Sequence, residues 1–179
     1  MNPSANFYRK DVAQSNFTRL LLIGALLAPL LALGASIEGQ IVGVSDGDTV
    51  TLLDAQKKQW KIRLLGIDAP EKKMPFGQRS KQHLADLVYG NTVIVEFSKQ
   101  DRYGRTLGKI QVGGIDANLA QIRAGMAWHY KQYQSEQSFE DRQLYSEAEE
   151  TARSSRRGLW ADATPTPPWN WRKQQRTNK

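Results

Sequence analysis

The chain of 179 residues has no cysteine and only two histidines. Without cysteine there can be no disulfide framework, thiolate zinc site or thiol nucleophile. His83 and His129 stand far apart and outside any HExxH spacing, which argues against a histidine-rich zinc site. Acid is in deficit too, with 18 Asp and Glu against 25 Lys and Arg, a net charge of +7. That excess favours polyanionic partners, because each neutralised phosphate releases counterions, though a basic surface alone is weak ground. No internal repeat is visible, and the length suits one domain with a proper core.

A full membrane-spanning run is also missing. Leu20–Ala35 is apolar for sixteen residues, short of the roughly 20 that cross a bilayer as a helix. Arg9, Lys10 and Arg19 precede it, Pro29 interrupts it, and the small residues Ala32, Gly34, Ala35 and Ser36 close it. A charged start, short apolar middle and small-residue end predict a signal peptide over residues 1–35, cut near Gly34–Ser36. An uncleaved anchor is the rival reading. Either places the working domain across a membrane, periplasmic or extracellular, and only the anchor would leave it membrane-attached.

The next segment has hairpin character. Ile37–Val44 and Thr49–Leu53 read as strands joined through Ser45-Asp46-Gly47, since Asp-Gly between apolar runs is a turn signal. A second turn leads to a half-buried strand, Gln59–Ile67. A helix is predicted over Phe76–Tyr89, then strands Thr92–Phe97 and Arg105–Val112. Asp116 caps a short helix, Ala117–Ala124, and Ser138 a longer one to about Arg156. Thr164–Trp171 is read as too proline-rich for helix or ladder. Strands joined by hairpins exclude a parallel α/β sheet. The expected fold is an antiparallel, closed five-stranded barrel of the OB type with about three helices. It fills residues 36–162, and residues 163–179 form a proline-rich, basic tail.

Acidic segments carry the chemistry. Asp48 starts the second strand and Asp68 ends the third, so antiparallel pairing brings the two carboxylates together. Pro70 turns the chain away, leaving the Ala69 carbonyl able to face the same point. Such hard oxygens suit calcium or magnesium, with room left for water and a phosphate. Glu71 is free to accept a proton from an attacking water. Arg63 and Arg105 can bind the equatorial oxygens of a five-coordinate phosphorus. One difficulty stands: Arg63 lies five residues before Asp68, so simple alternation puts them on opposite faces unless a twist or bulge intervenes.

Asp46-Gly47-Asp48-Thr49-Val50, Arg63-Leu64-Leu65-Gly66-Ile67-Asp68-Ala69-Pro70-Glu71 and Asp101-Arg102-Tyr103-Gly104-Arg105 closely resemble, in order, the motifs of the staphylococcal nuclease family. The resemblance spans about Glu38–Trp160. It implies one calcium ion held by Asp48, Asp68 and the Ala69 carbonyl, with Asp46 nearby. It implies Arg63, Glu71 and Arg105 as catalytic residues, with Glu71 the usual base. Arg102 and Tyr103 match positions that grip a terminal phosphate, and Tyr130 and Tyr133 match tyrosines that contact the nucleotide. The family cleaves DNA and RNA to 3′-phosphates, and a monomer without a protein partner is expected. Ala69 stands where threonine is common, Arg102 where lysine is, and the loop after Glu71 looks shorter.

Plainer roles suit other residues. His83 and His129 read as packing residues, and Trp128 and Trp160 as filler between helix and barrel. Trp169 and Trp171 could stack bases, but clamping the tail is the commoner use. Against an active endonuclease stands a catalytically silent nucleic-acid-binding module, a reading disfavoured because all five of Asp48, Arg63, Asp68, Glu71 and Arg105 are present.

Overall fold

Alternating apolar residues and Asp-Gly turns build a barrel wall before any helix appears. The computed structural model describes residues 35–177, so the expected leader or anchor lies outside them except for Ala35, which opens the first strand. β1 (Ala35–Asp46) turns through Gly47 and Asp48 into β2 (Thr49–Asp54), and β3 (Gln59–Leu64) follows antiparallel. The amino-terminal half of β1 pairs with β5 (Thr92–Gln100), so one strand serves two neighbours. Register shifts after Ile41 and Val44 mark where it bends between them.

β6 (Thr106–Val112) pairs antiparallel with β5 and carries a short edge strand, β7 (Ile115–Asp116). Closure comes from β6 lying parallel to β3, Ile62 opposite Thr106 and Leu64 opposite Gly108. The result is a closed five-stranded barrel with one extra strand. It is mixed, not wholly antiparallel as expected. The closing strands belong to separate hairpins, and hairpin connectivity does not dictate their direction.

Residues two apart point inward and fill the barrel: Val50 with Leu52, Ile62 with Leu64, and Val93 with Val95. Leu84 and Val88 of α1 (Gly77–Val88) and Ile122 of α2 (Ala117–Arg123) close one side. Asp116 caps α2 by accepting from the Leu119 N–H, and Ser138 caps α3 (Phe139–Ser154) by accepting from the Asp141 N–H.

Two further expectations need correction. The third strand stops at Leu64, not Ile67. Leu65–Gly66 turns, and a two-residue strand, β4 (Ile67–Asp68), pairs instead with β8 (Trp128–His129). The proline-rich segment is irregular through Pro167, as expected, but from Pro168 it is helical: α4 spans Pro168–Thr177, a fourth α-helix among the described residues. Proline fits the first helical position, where its missing N–H would have no partner anyway. None of the described helices is long and apolar enough to cross a membrane.

Candidate active site

Asp48 is held by its neighbours on every side. Its Oδ1 accepts from the Thr49 hydroxyl at 3.0 Å, and its Oδ2 accepts from the Ala69 N–H at 2.7 Å. Its own carbonyl accepts from the Leu64 N–H at 2.8 Å. The first hairpin turn is thereby sewn to the end of β3 and to the backbone after Asp68. Asp46 supports the turn, its Oδ1 accepting from the Asp48 N–H at 3.1 Å. Burial pushes the Asp48 carboxyl above the ordinary aspartate range. Arg63 opposes this, while Asp46 and Asp68 add repulsion.

The five-residue spacing from Arg63 to Asp68 is reconciled by Gly66. Its φ of 77° is a left-handed turn that glycine adopts without steric cost, and it breaks strict alternation between β3 and β4. Arg63 then bridges both acids, at 3.0 Å to Asp48 Oδ2 and 2.8 Å to Asp68 Oδ1. Its guanidinium also donates to the Ile67 carbonyl at 2.9 Å. Asp68 is fully buried.

With Asp68 buried behind them, Asp46, Asp48 and Arg63 line a cleft of about 1040 Å³ between the barrel and the carboxy-terminal helix. Glu71 sits half-exposed on it, in a tight turn where the Met74 N–H donates to the Glu71 carbonyl at 2.8 Å. Arg105 lines the same cleft, fixed by Asp101, whose Oδ2 receives the guanidinium at 2.7 and 2.8 Å. Its ion pair is with Asp101 and not with Asp48, Asp68 or Glu71. Arg102 and Tyr103 are exposed at the rim, with the Arg102 guanidinium 4.8 Å from the Tyr103 ring.

Tyr130 and Tyr133 pack edge to face at 4.9 Å on the same cleft. Burial, with Asp68 nearby, raises the Tyr130 phenol and keeps it a proton donor. The histidines play the structural parts expected of them. His83 hydrogen-bonds Gln121, and buried His129 bonds Gln137 at 2.9 Å.

Arg172 of α4 was missed by sequence reasoning. Its guanidinium reaches Asp68 Oδ1 at 3.1 Å, Asp68 Oδ2 at 2.7 Å and Glu71 Oε1 at 2.9 Å. Trp169 docks the helix, stacked on Tyr130 at 5.3 Å with 9° between planes and edge-on to Trp128 at 5.6 Å. Trp128 also meets Trp160 at 4.2 Å. The available signal was the i, i+3, i+7 spacing of Trp169, Arg172 and Arg176 behind a proline.

The donor set matches a hard divalent cation. Arg63 holds carboxylate oxygens of Asp48 and Asp68 beside each other, and the Ala69 N–H ties Asp48 to the backbone just after Asp68, so hard oxygen donors of the kind such a cation takes are gathered here. Among the described residues no three acidic or histidine side chains form a ready-made cage, so such an ion would rest on few protein ligands.

The family model of staphylococcal nuclease homologues matches residues 61–162. An "uncharacterized endonuclease" of Escherichia coli O157:H7 is 43% identical over 139 residues, 77% of this chain and 86% of its own. A namesake in Haemophilus influenzae is 40% identical over 164 residues, 89% of each chain. A "micrococcal nuclease" of Shigella flexneri is 39% identical over 148 residues, 78% of this chain and 82% of its own.

Proposed function

The chain belongs to the staphylococcal nuclease family and is a nuclease hydrolase, and we propose that it is an exported, calcium-dependent endonuclease cleaving DNA and RNA to 3′-phosphate ends. The observation that carries this is the buried Asp48–Arg63–Asp68 bridge, whose Asp48 and Arg63 line the same cleft as Glu71 and Arg105.

Asp48, Asp68 and the Ala69 carbonyl would hold the calcium ion. When bound, the ion supplies positive charge that draws in a phosphate and stabilises the charge growing on it. The remaining work falls to side chains. Arg63 and Arg105 both line the cleft and offer planar forks to a phosphate's equatorial oxygens. Glu71 accepts a proton from the attacking water at a carboxylate oxygen. Arg102 and Tyr103 receive a neighbouring phosphate at the rim, and Tyr130 and Tyr133 line the nucleotide's path. One chain carries every group, so a monomer suffices.

Digestion of plasmid DNA and of RNA, with calcium and with chelator, tests the reading. Fragments from the calcium reaction should accept a 5′-phosphate from a kinase directly and require phosphatase before 3′ extension. Nucleic acid bound at millimolar calcium without cleavage would overturn it in favour of a silent module. Asp48→Ala should weaken calcium activation, and unchanged activation would remove Asp48 from the ligand set. Mass spectrometry of chain recovered outside the cytoplasm checks export and cleavage near Gly34–Ser36.

A further inference from the structure

Both carboxylate oxygens of Asp68 are engaged by guanidinium groups. Arg63 takes Oδ1 at 2.8 Å, while Arg172 takes Oδ1 at 3.1 Å and Oδ2 at 2.7 Å. A calcium ion needs a carboxylate oxygen at roughly 2.3–2.6 Å. A guanidinium fork across the same carboxylate blocks that approach and repels the ion. Arg172 also holds Glu71, so one cation spans a metal-side acid and the candidate base.

The grip is reversible by construction. Within α4 only Pro168 is buried. The helix is held by Trp169 against Tyr130 and Trp128 and by Arg172 itself. Lys173 and Arg176 line the same cleft, so a helix freed from the acids keeps its cations beside the path of a nucleic acid backbone.

Building on the calcium reading above, we propose that Arg172 is a tethered counter-ion of the catalytic acids, mutually exclusive with the divalent cation. Cation entry and withdrawal of Arg172 from Asp68 are then one coupled event. The chain's apparent affinity for the ion is reduced by the fraction of time the acids are free.

The test is calcium chloride titration of the full chain by calorimetry, comparing wild type with Arg172→Ala and Arg172→Gln. Tryptophan fluorescence is followed in parallel, with Trp169→Phe assigning the signal. Removing the tethered charge should tighten calcium binding about tenfold, within the roughly 5–150-fold span of such couplings. Calcium should also change the Trp169 signal in wild type and do so much less in the variants. Equal or weaker binding by natively folded variants overturns the inference and leaves the calcium reading standing. No binding by wild type or variants overturns both. If Arg172→Ala loses native circular dichroism, Arg172→Gln, which keeps an amide donor on a shorter stem, is read by the same criterion.

Discussion

Arg63 and Arg105 occupy very different surroundings although both are assigned to the phosphate. Arg63 joins two buried acids, so Arg63→Ala leaves buried Asp48 without its cation and Asp68 with Arg172 alone. Urea unfolding without added cation should show a loss of about 3 kcal/mol or more. Arg105 pairs with Asp101 nearer the surface, and Arg105→Ala should cost less than about 1 kcal/mol. Both should lower nuclease turnover by orders of magnitude, as should Glu71→Ala, which should keep a native fold. A wild-type urea midpoint for Arg63→Ala would show that its bridge carries no weight. His129 supplies a pH signature. Burial depresses it from the ordinary 6.5, so the unfolded chain takes up its proton first as pH falls. The stability tied to neutral His129 is complete above 6.5 and lost as pH drops through the lower folded value. Unfolding free energies between pH 7.5 and 5 should fall less steeply in His129→Asn than in wild type, and parallel curves would exclude His129 as the source.

At the level of elements, the short strand β4 depends on one turn. A side chain at Gly66 must adopt φ near 77° and would meet the Gln137 side chain at 2.3 Å. Gly66→Ala should therefore cost about 2 kcal/mol and weaken calcium binding by displacing Asp68. Gly104 has a similar φ of 76° with open space around it, so Gly104→Ala isolates the backbone cost of about 1 kcal/mol. Equal losses in the two variants, read by thermal unfolding, would mean that Gln137 moves aside freely. The carboxy-terminal helix shows the same dependence on context. Ten residues are too few to hold a helix in water alone, and its order comes from Trp169 docking on Tyr130 and from Arg172 on the acids.

For the whole molecule, the net charge of +7 becomes functional only where it is displayed. Arg102 and Arg105 of the barrel and Arg172, Lys173 and Arg176 of α4 all line the cleft. Single-strand binding by a cleavage-deficient Glu71→Gln chain should weaken linearly in log–log form as salt rises, by about 0.7 per phosphate neutralised. Arg102→Ala should reduce that slope by about one such step. An unchanged slope would place the bound phosphates away from Arg102.

Local signals sufficed for the barrel hairpins, for the caps at Asp116 and Ser138, and for the three motifs that bring acids and arginines near one another. Turn chemistry, capping and alternation act over a few residues, and the sequence states them directly. Three features escaped that reach: the parallel closure of β3 on β6, the pairing of Ile67–Asp68 with Trp128–His129, and the helix over Pro168–Thr177. Each is settled by partners distant in the chain. Arg172 lies 104 residues from Asp68 and 101 from Glu71, and no periodicity or propensity spans that distance. The sequence by itself determined which groups could meet a phosphate. Only tertiary packing placed a second cation, Arg172, on Asp68, because the helix that carries it is docked through Trp169 on Tyr130.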